Sequence, residues 1–174
     1  MDPALAALAA KLGDKLLDEA LSIRPHVHGE WLGVLEYDKD EPRKLYHVRQ
    51  PADNPLRLYI PDLGFEYAYR GGYDSDGGSI PSFFQDIPRL RLKPDSFLRS
   101  YFLHDFCYAH AACWCRLPGA CAWSRMPVTR AIADCLLYVG LTAEDATLAE
   151  ARAIFRAVRL GGSIAWRQHR REDP

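Results

Sequence analysis

An α+β fold follows from three features of the sequence. Strand-like alternation fills the first half, helical periodicity fills the second, and a long aperiodic segment lies between them. The expected order is an N-terminal helix, a small antiparallel sheet of three or four strands, then a C-terminal layer of three helices. Residues 1–22 form the helix and 23–174 a single α+β domain. With 174 residues and 48% hydrophobic content, the chain is long enough to bury its own core. Twenty-two basic residues against twenty-three acidic ones leave a net charge of -1, which removes any global electrostatic case for nucleic acid. No apolar run approaches the roughly 18 residues of a membrane-spanning helix.

In the first segment Leu5, Leu8, Leu12, Leu16 and Ala20 recur at helical spacing, while Lys11, Asp14, Lys15, Asp18 and Glu19 fill the other face. Charges inside the apolar stretch exclude a secretory signal. Four strands are expected at Glu30–Tyr37, Arg43–Arg49, Leu56–Ile60 and Phe65–Arg70, each bounded by Gly, Pro, Asp or Asn. Residues 71–94 break every period with Gly71, Gly72, Gly77, Gly78, Pro81, Pro88 and Pro94. They also carry Ile80, Phe83, Phe84 and Ile87, which implies an ordered, folded-back loop.

Asp95 or Ser96 can cap a helix reaching Ala112. Pro127 suits the first turn of a second helix to Val139, with Gly140 past its end. Thr142 can cap a third, with Glu144 and Asp145 in its first turn, ending before Gly161-Gly162. Cys107, Cys113, Cys115, Cys121 and Cys135 are odd in number and lack the spacing of a zinc hairpin. They read as mostly free, buried thiols.

The chemistry concentrates at His104-Asp105-Phe106-Cys107-Tyr108. Tyr101, His104 and Tyr108 share one helical face and Asp105 lies at its edge. In the next helix Asp134 interrupts the apolar run Ala131–Tyr138, and neighbouring antiparallel helices would satisfy it by aiming it at His104. A His held by a carboxylate keeps one tautomer and becomes a better base for water. Asp105, with Asp76, Gly77 and Gly78 of the upstream loop, offers oxygens suited to a hard cation such as Ca²⁺. The segment Arg152–Arg171 holds six arginines and no acid, and it reads as a solvated face.

The run from His104 to Tyr108 resembles the His-Asp-x-Cys-Tyr helix of phospholipase A2. That resemblance implies His104 as the base, Asp134 as its orienting carboxylate, Tyr108 as a hydrogen-bond partner of Asp134, and Asp105 as a calcium ligand. Gly77 and Gly78 would belong to the calcium loop. A second resemblance spans residues 55–168. Ser75-Asp76-Gly77-Gly78-Ser79-Ile80-Pro81 is similar to the Thr-Asp-x-x-Ser-Ile-Pro signature of an uncharacterised family of phage, prophage and bacterial genomes. That family continues with a helical His-Asp, an Arg-x-x-x-Asp helix (here Arg130 and Asp134) and a Val-Arg-x-x-Gly…Trp pattern (here Val158 to Trp166). The second resemblance implies a location in the bacterial cytoplasm or a virion, and the expected function is a phage- or prophage-type metal-dependent ester hydrolase. The alternative is a virion tail, neck or assembly component, docked through its N-terminal helix or arginine-rich C-terminus, in which the His-Asp cluster is structural.

Overall fold

The computed structural model describes residues 28–43, 45–51, 54–62, 64–77, 96–116 and 120–172, with only the backbone from 168 onward. The expected N-terminal helix therefore lies outside the described residues. Eight strands and three helices follow in order. The strands are β1 (Glu30–Leu32), β2 (Glu36–Asp40), β3 (Leu45–Arg49), β4 (Arg57–Ile60), β5 (Phe65–Ala68), β6 (Tyr73–Ser75), β7 (Ala112–Arg116) and β8 (Ser124–Pro127). The helices are α1 (Leu98–His110), between β6 and β7, then α2 (Arg130–Ala143) and α3 (Leu148–Glu172).

These strands correct the expected single sheet of three or four. They form two antiparallel sheets, one of five strands ordered β1-β4-β5-β7-β8 and one of three ordered β2-β3-β6. The first physical reason is Gly33. Its φ of +86° turns the chain inside the expected Glu30–Tyr37 strand, and a Cβ there would collide with the Pro55 carbonyl oxygen. The two halves therefore enter different sheets. A second reason is the Cys-rich segment, where β7 and β8 pair as antiparallel strands in a region with no expected strand. Cys113 and Cys115 face inward and Trp114 outward, the period of a strand. The third is β6, a short strand inside the expected aperiodic loop, where Tyr73, Asp74 and Ser75 pair with Val48, His47 and Tyr46.

The helix limits also move. Ala111, at φ 43°, ends α1 and turns the chain directly into β7. Pro127 closes β8 instead of opening α2, and Thr129 caps α2 by accepting from the Ile132 amide at 3.3 Å. Gly140 lies inside α2. A Cβ on it would sit 2.8 Å from Ser100 Oγ, and its carbonyl accepts from Trp31 Nε1 at 3.1 Å. Thr142 and Glu144 belong to the end of α2, while Thr147 and Glu150 form the reciprocal cap of α3. α3 then continues through Gly161-Gly162 to Glu172. No described helix is long and apolar enough to cross a membrane.

Packing places α2 between α1 and α3, with α1 against β6 and β7 and α2 also against β1. Leu103, Leu136, Leu137 and Phe155 of the helices and Leu58, Ile60 and Tyr67 of the larger sheet are fully buried, and Phe102 packs on the Tyr37 and Tyr46 rings of the smaller sheet. Asp95 lies outside the described residues, and Ser96 does not cap α1; its N-cap position is Phe97, without a side-chain cap. Glu144, from the end of α2, supplies the carboxylate instead. It accepts from the amides of Arg99 at 3.1 Å and Ser100 at 2.9 Å, and from the Ser100 hydroxyl. Burial pushes the Glu144 carboxyl above its ordinary range, and these bonds only partly oppose it. Glu144→Ala strips three donors at the α1–α2 junction at once. A loss of about 1–3 kcal/mol in urea denaturation is expected, with Glu144→Gln losing less.

Candidate functional site

Three helices and the end of one short strand converge on His104. α1 presents His104, Asp105 and Tyr108 within little more than one turn, so two of them face α2 while Asp105 turns toward β6. Its C-terminal half is apolar apart from these groups and the exposed His110 at its end, which is why α1 packs deeply enough to enclose them. His104 Nε2 lies 3.1 Å from Asp134 Oδ1. A carboxylate can only accept, so Nε2 carries the hydrogen and donates it. The same oxygen accepts from the Tyr108 hydroxyl at 2.7 Å, and Oδ2 accepts from Arg159 Nη1 at 2.9 Å. Asp134 is wholly buried, and its charge is met by donors from both neighbouring helices.

On the other side of the ring, His104 Nδ1 stands 3.7 Å from Asp105 Oδ1, an ion-pair contact too long for a direct hydrogen bond. Asp105 Oδ2 accepts from Ser75 Oγ at 2.5 Å, and Ser75 Oγ in turn accepts from the Gly77 amide at 3.0 Å. The Asp105 side chain is 24% exposed, whereas His104 is 9% exposed, so the site opens on its Asp105 side. Gly77 is required where it stands. Its φ is +76°, and a Cβ on it would lie 2.6 Å from the Tyr46 ring.

Charge balance follows from these contacts. Burial alone would lower the His104 pKa, but Asp105 and Asp134 outweigh it and push it up to about 9. Burial raises Asp134, yet the bonds from His104, Tyr108 and Arg159 bring it below the usual carboxylate range. Burial also raises Asp105; His104 pulls against that, and the Asp76 charge adds to it. The site thus holds a firmly ionised carboxylate, an imidazolium at neutral pH and a second carboxylate of weaker acidity.

The expected residues His104, Asp134, Tyr108 and Asp105 are brought together. Asp76 and Gly77 stand beside them at the exit of β6. Gly78 lies outside the described residues. Among the described residues, no three His, Cys, Asp or Glu side chains are grouped closely enough to hold a metal ion. Ser75, Arg130 and Arg159 were not expected as site residues, and Arg159 was assigned to a solvated face. The available signal for it was its place in the Val158–Trp166 pattern. Comparison with known protein families, curated proteins and solved structures finds no match to this chain.

α3 approaches closely enough to deliver Arg159 because residue 162 is glycine. A Cβ on Gly162 would collide with the Tyr108 hydroxyl, and Trp166, one turn on, packs edge-on against the Tyr108 ring at 5.0 Å. Gly162→Ala would gain about 0.8–1.0 kcal/mol of helix propensity on an open surface. Here the clash reverses the sign, and urea denaturation is expected to show a net loss of about 1 kcal/mol or more.

A folded-state pKa above the unfolded value means that the His104 contribution is fully present below about pH 6.5 and is lost as pH rises through about 9. In the presence of EDTA, the stability difference between the wild type and His104→Asn is expected to shrink across that window. The change is on the order of 3 kcal/mol at most, measured by urea denaturation at pH 6 and pH 9.5.

Proposed function

We propose that the protein is a phage- or prophage-type hydrolase of ester bonds, in which His104 moves the proton of an attacking water. The observation that carries it is the arrangement of Asp134. A carboxylate without solvent holds one nitrogen of His104, and the other nitrogen faces the partly exposed Asp105. Support also comes from the positions of the signature-like residues. Ser75, the His104–Asp105 pair, Arg130 with Asp134, and Arg159 come from four separate segments, yet each bonds or borders a residue of another.

In this scheme the neutral form of His104 takes a proton from water at Nδ1 as the water oxygen attacks the ester carbonyl carbon. The imidazolium is stabilised by Asp134 and then returns the proton to the departing alkoxide, leaving an acid and an alcohol. Tyr108 keeps Asp134 Oδ1 in place, and Ser75 holds Asp105. Calcium belongs to the proposal. Asp105 and Asp76, with main-chain oxygens near Gly77, are the residues that would hold it, and the cation would polarise the ester carbonyl.

A second proposal is a virion or assembly component in which the cluster only fastens three helices. The favouring observation is that His104 is nearly enclosed between two carboxylates, which push its pKa up to about 9. His104→Asn separates the two. Asn can still donate to Asp134, so the fold should persist, with a loss of about 0.5–1.5 kcal/mol once pH exceeds the His104 pKa and a larger one below it. Hydrolysis of phospholipid and simple ester substrates should fall by about 10²–10⁴-fold, and wild-type hydrolysis should be faster at pH 9 than at pH 7. Millimolar Ca²⁺ should raise the wild-type melting midpoint relative to EDTA. A folded wild type that hydrolyses no member of the panel with Ca²⁺ supplied leaves the structural role standing.

A further inference from the structure

We propose that Arg159, seated by Arg130, is a positioning residue that fixes the plane of the Asp134 carboxylate so that Oδ1 stays aimed at His104 Nε2. The proposal rests on the hydrolytic site described above and adds a residue to it. Rotation about the terminal torsion of an Asp is soft and two-fold, so a carboxylate held through one oxygen alone can swing. Asp134 Oδ1 carries both the His104 and the Tyr108 bonds, and a rotation would weaken them together. The charged bond from Arg159 Nη1 to Oδ2, at 2.9 Å, opposes that rotation from the other end of the carboxylate.

Arg159 is in turn not left to its own long stem. Arg130 Nη1 donates to the Arg159 carbonyl oxygen at 3.0 Å. Arg130 and Asp134 are four residues apart on α2, hence on one face. α2 therefore grips the backbone of Arg159 at one turn and receives its side chain at the next. The Arg159 side chain remains 30% exposed, so bonding rather than enclosure holds it. Its bond is to Asp134, so its effect on His104 passes through that carboxylate.

The test uses the full chain with ¹⁵N-labelled histidine. In the wild type, the His104 Nε2 proton should appear as a slowly exchanging downfield resonance. Arg159→Ala should lose or broaden that resonance while circular dichroism shows a retained fold. It should lower kcat for ester hydrolysis by about 10–100-fold with little change in KM, as for other residues that orient a catalytic group. Arg159→Lys should fall between the two. Added guanidinium at non-denaturing concentration should restore the resonance and part of kcat in Arg159→Ala, but not raise either in the wild type. A resonance unchanged in Arg159→Ala, with only a lower melting midpoint, would overturn the assignment. If Arg159→Ala does not fold, Arg130→Gln carries the test: a broadened His104 resonance supports the assignment and an unaltered one overturns it. If the wild type hydrolyses nothing, the hydrolase fails, and the resonance still decides the role of Arg159.

Discussion

Burial of the Asp134 carboxylate is the constraint around which the helical half is arranged. An ionised carboxylate removed from water costs several kcal/mol unless its lone pairs are met by donors with good geometry. Asp134 has no solvent contact, and α2 cannot satisfy it, because the backbone donors of a helix interior are already used. The donors must come from elsewhere. His104 and Tyr108 require α1 at one side, and Arg159 requires α3 at the other. One polar atom pair thus sets which faces of three helices meet. Gly162 then has a plain role, since α3 could not approach the Tyr108 hydroxyl with a side chain at that position.

The same constraint explains what was legible in sequence. A His-Asp pair and a lone Asp within apolar helical runs had few ways to be satisfied except by each other, and the helix spacing placed them on facing surfaces. Arg159 could not be found this way. On an amphipathic helix rich in arginine, one guanidinium pointing inward has the same spacing as its solvated neighbours, and only the tertiary approach of α3 distinguishes it. Gly161-Gly162 was misleading for a related reason. Glycine pairs usually end helices, but here close packing on Tyr108 accounts for Gly162 within α3.

The sheets were less legible than the helices because their decisive features are short or nonlocal. β1 and β6 have three residues each, too few to show a period. Gly33 separates two sheets only because Pro55 lies against it in space. β7 alternates in its inward Cys113 and Cys115, yet Cys and Trp together carry little strand signal without the β8 partner. Capping of α1 by Glu144 is nonlocal in the same sense. Its sequence position reads as the first turn of a following helix, while its carboxylate serves the N-terminus of an earlier one.

Stability alone does not explain such a cluster. Replacing a buried ion network with well-packed apolar side chains is often neutral or stabilising. Nor does fastening three helices require a histidine, since a neutral hydrogen-bonding side chain would join α1 to α2 without a titrating group. The position of Asp105 is harder still to account for structurally. It places a second carboxylate beside the open side of the same ring, where burial and Asp76 both oppose its ionisation. A purely structural cluster gains nothing from that opposition. The proposed hydrolytic site, which would hold a proton on one nitrogen and exchange one at the other, does, because the imidazole then stands between a fixed carboxylate and one whose charge its surroundings can change.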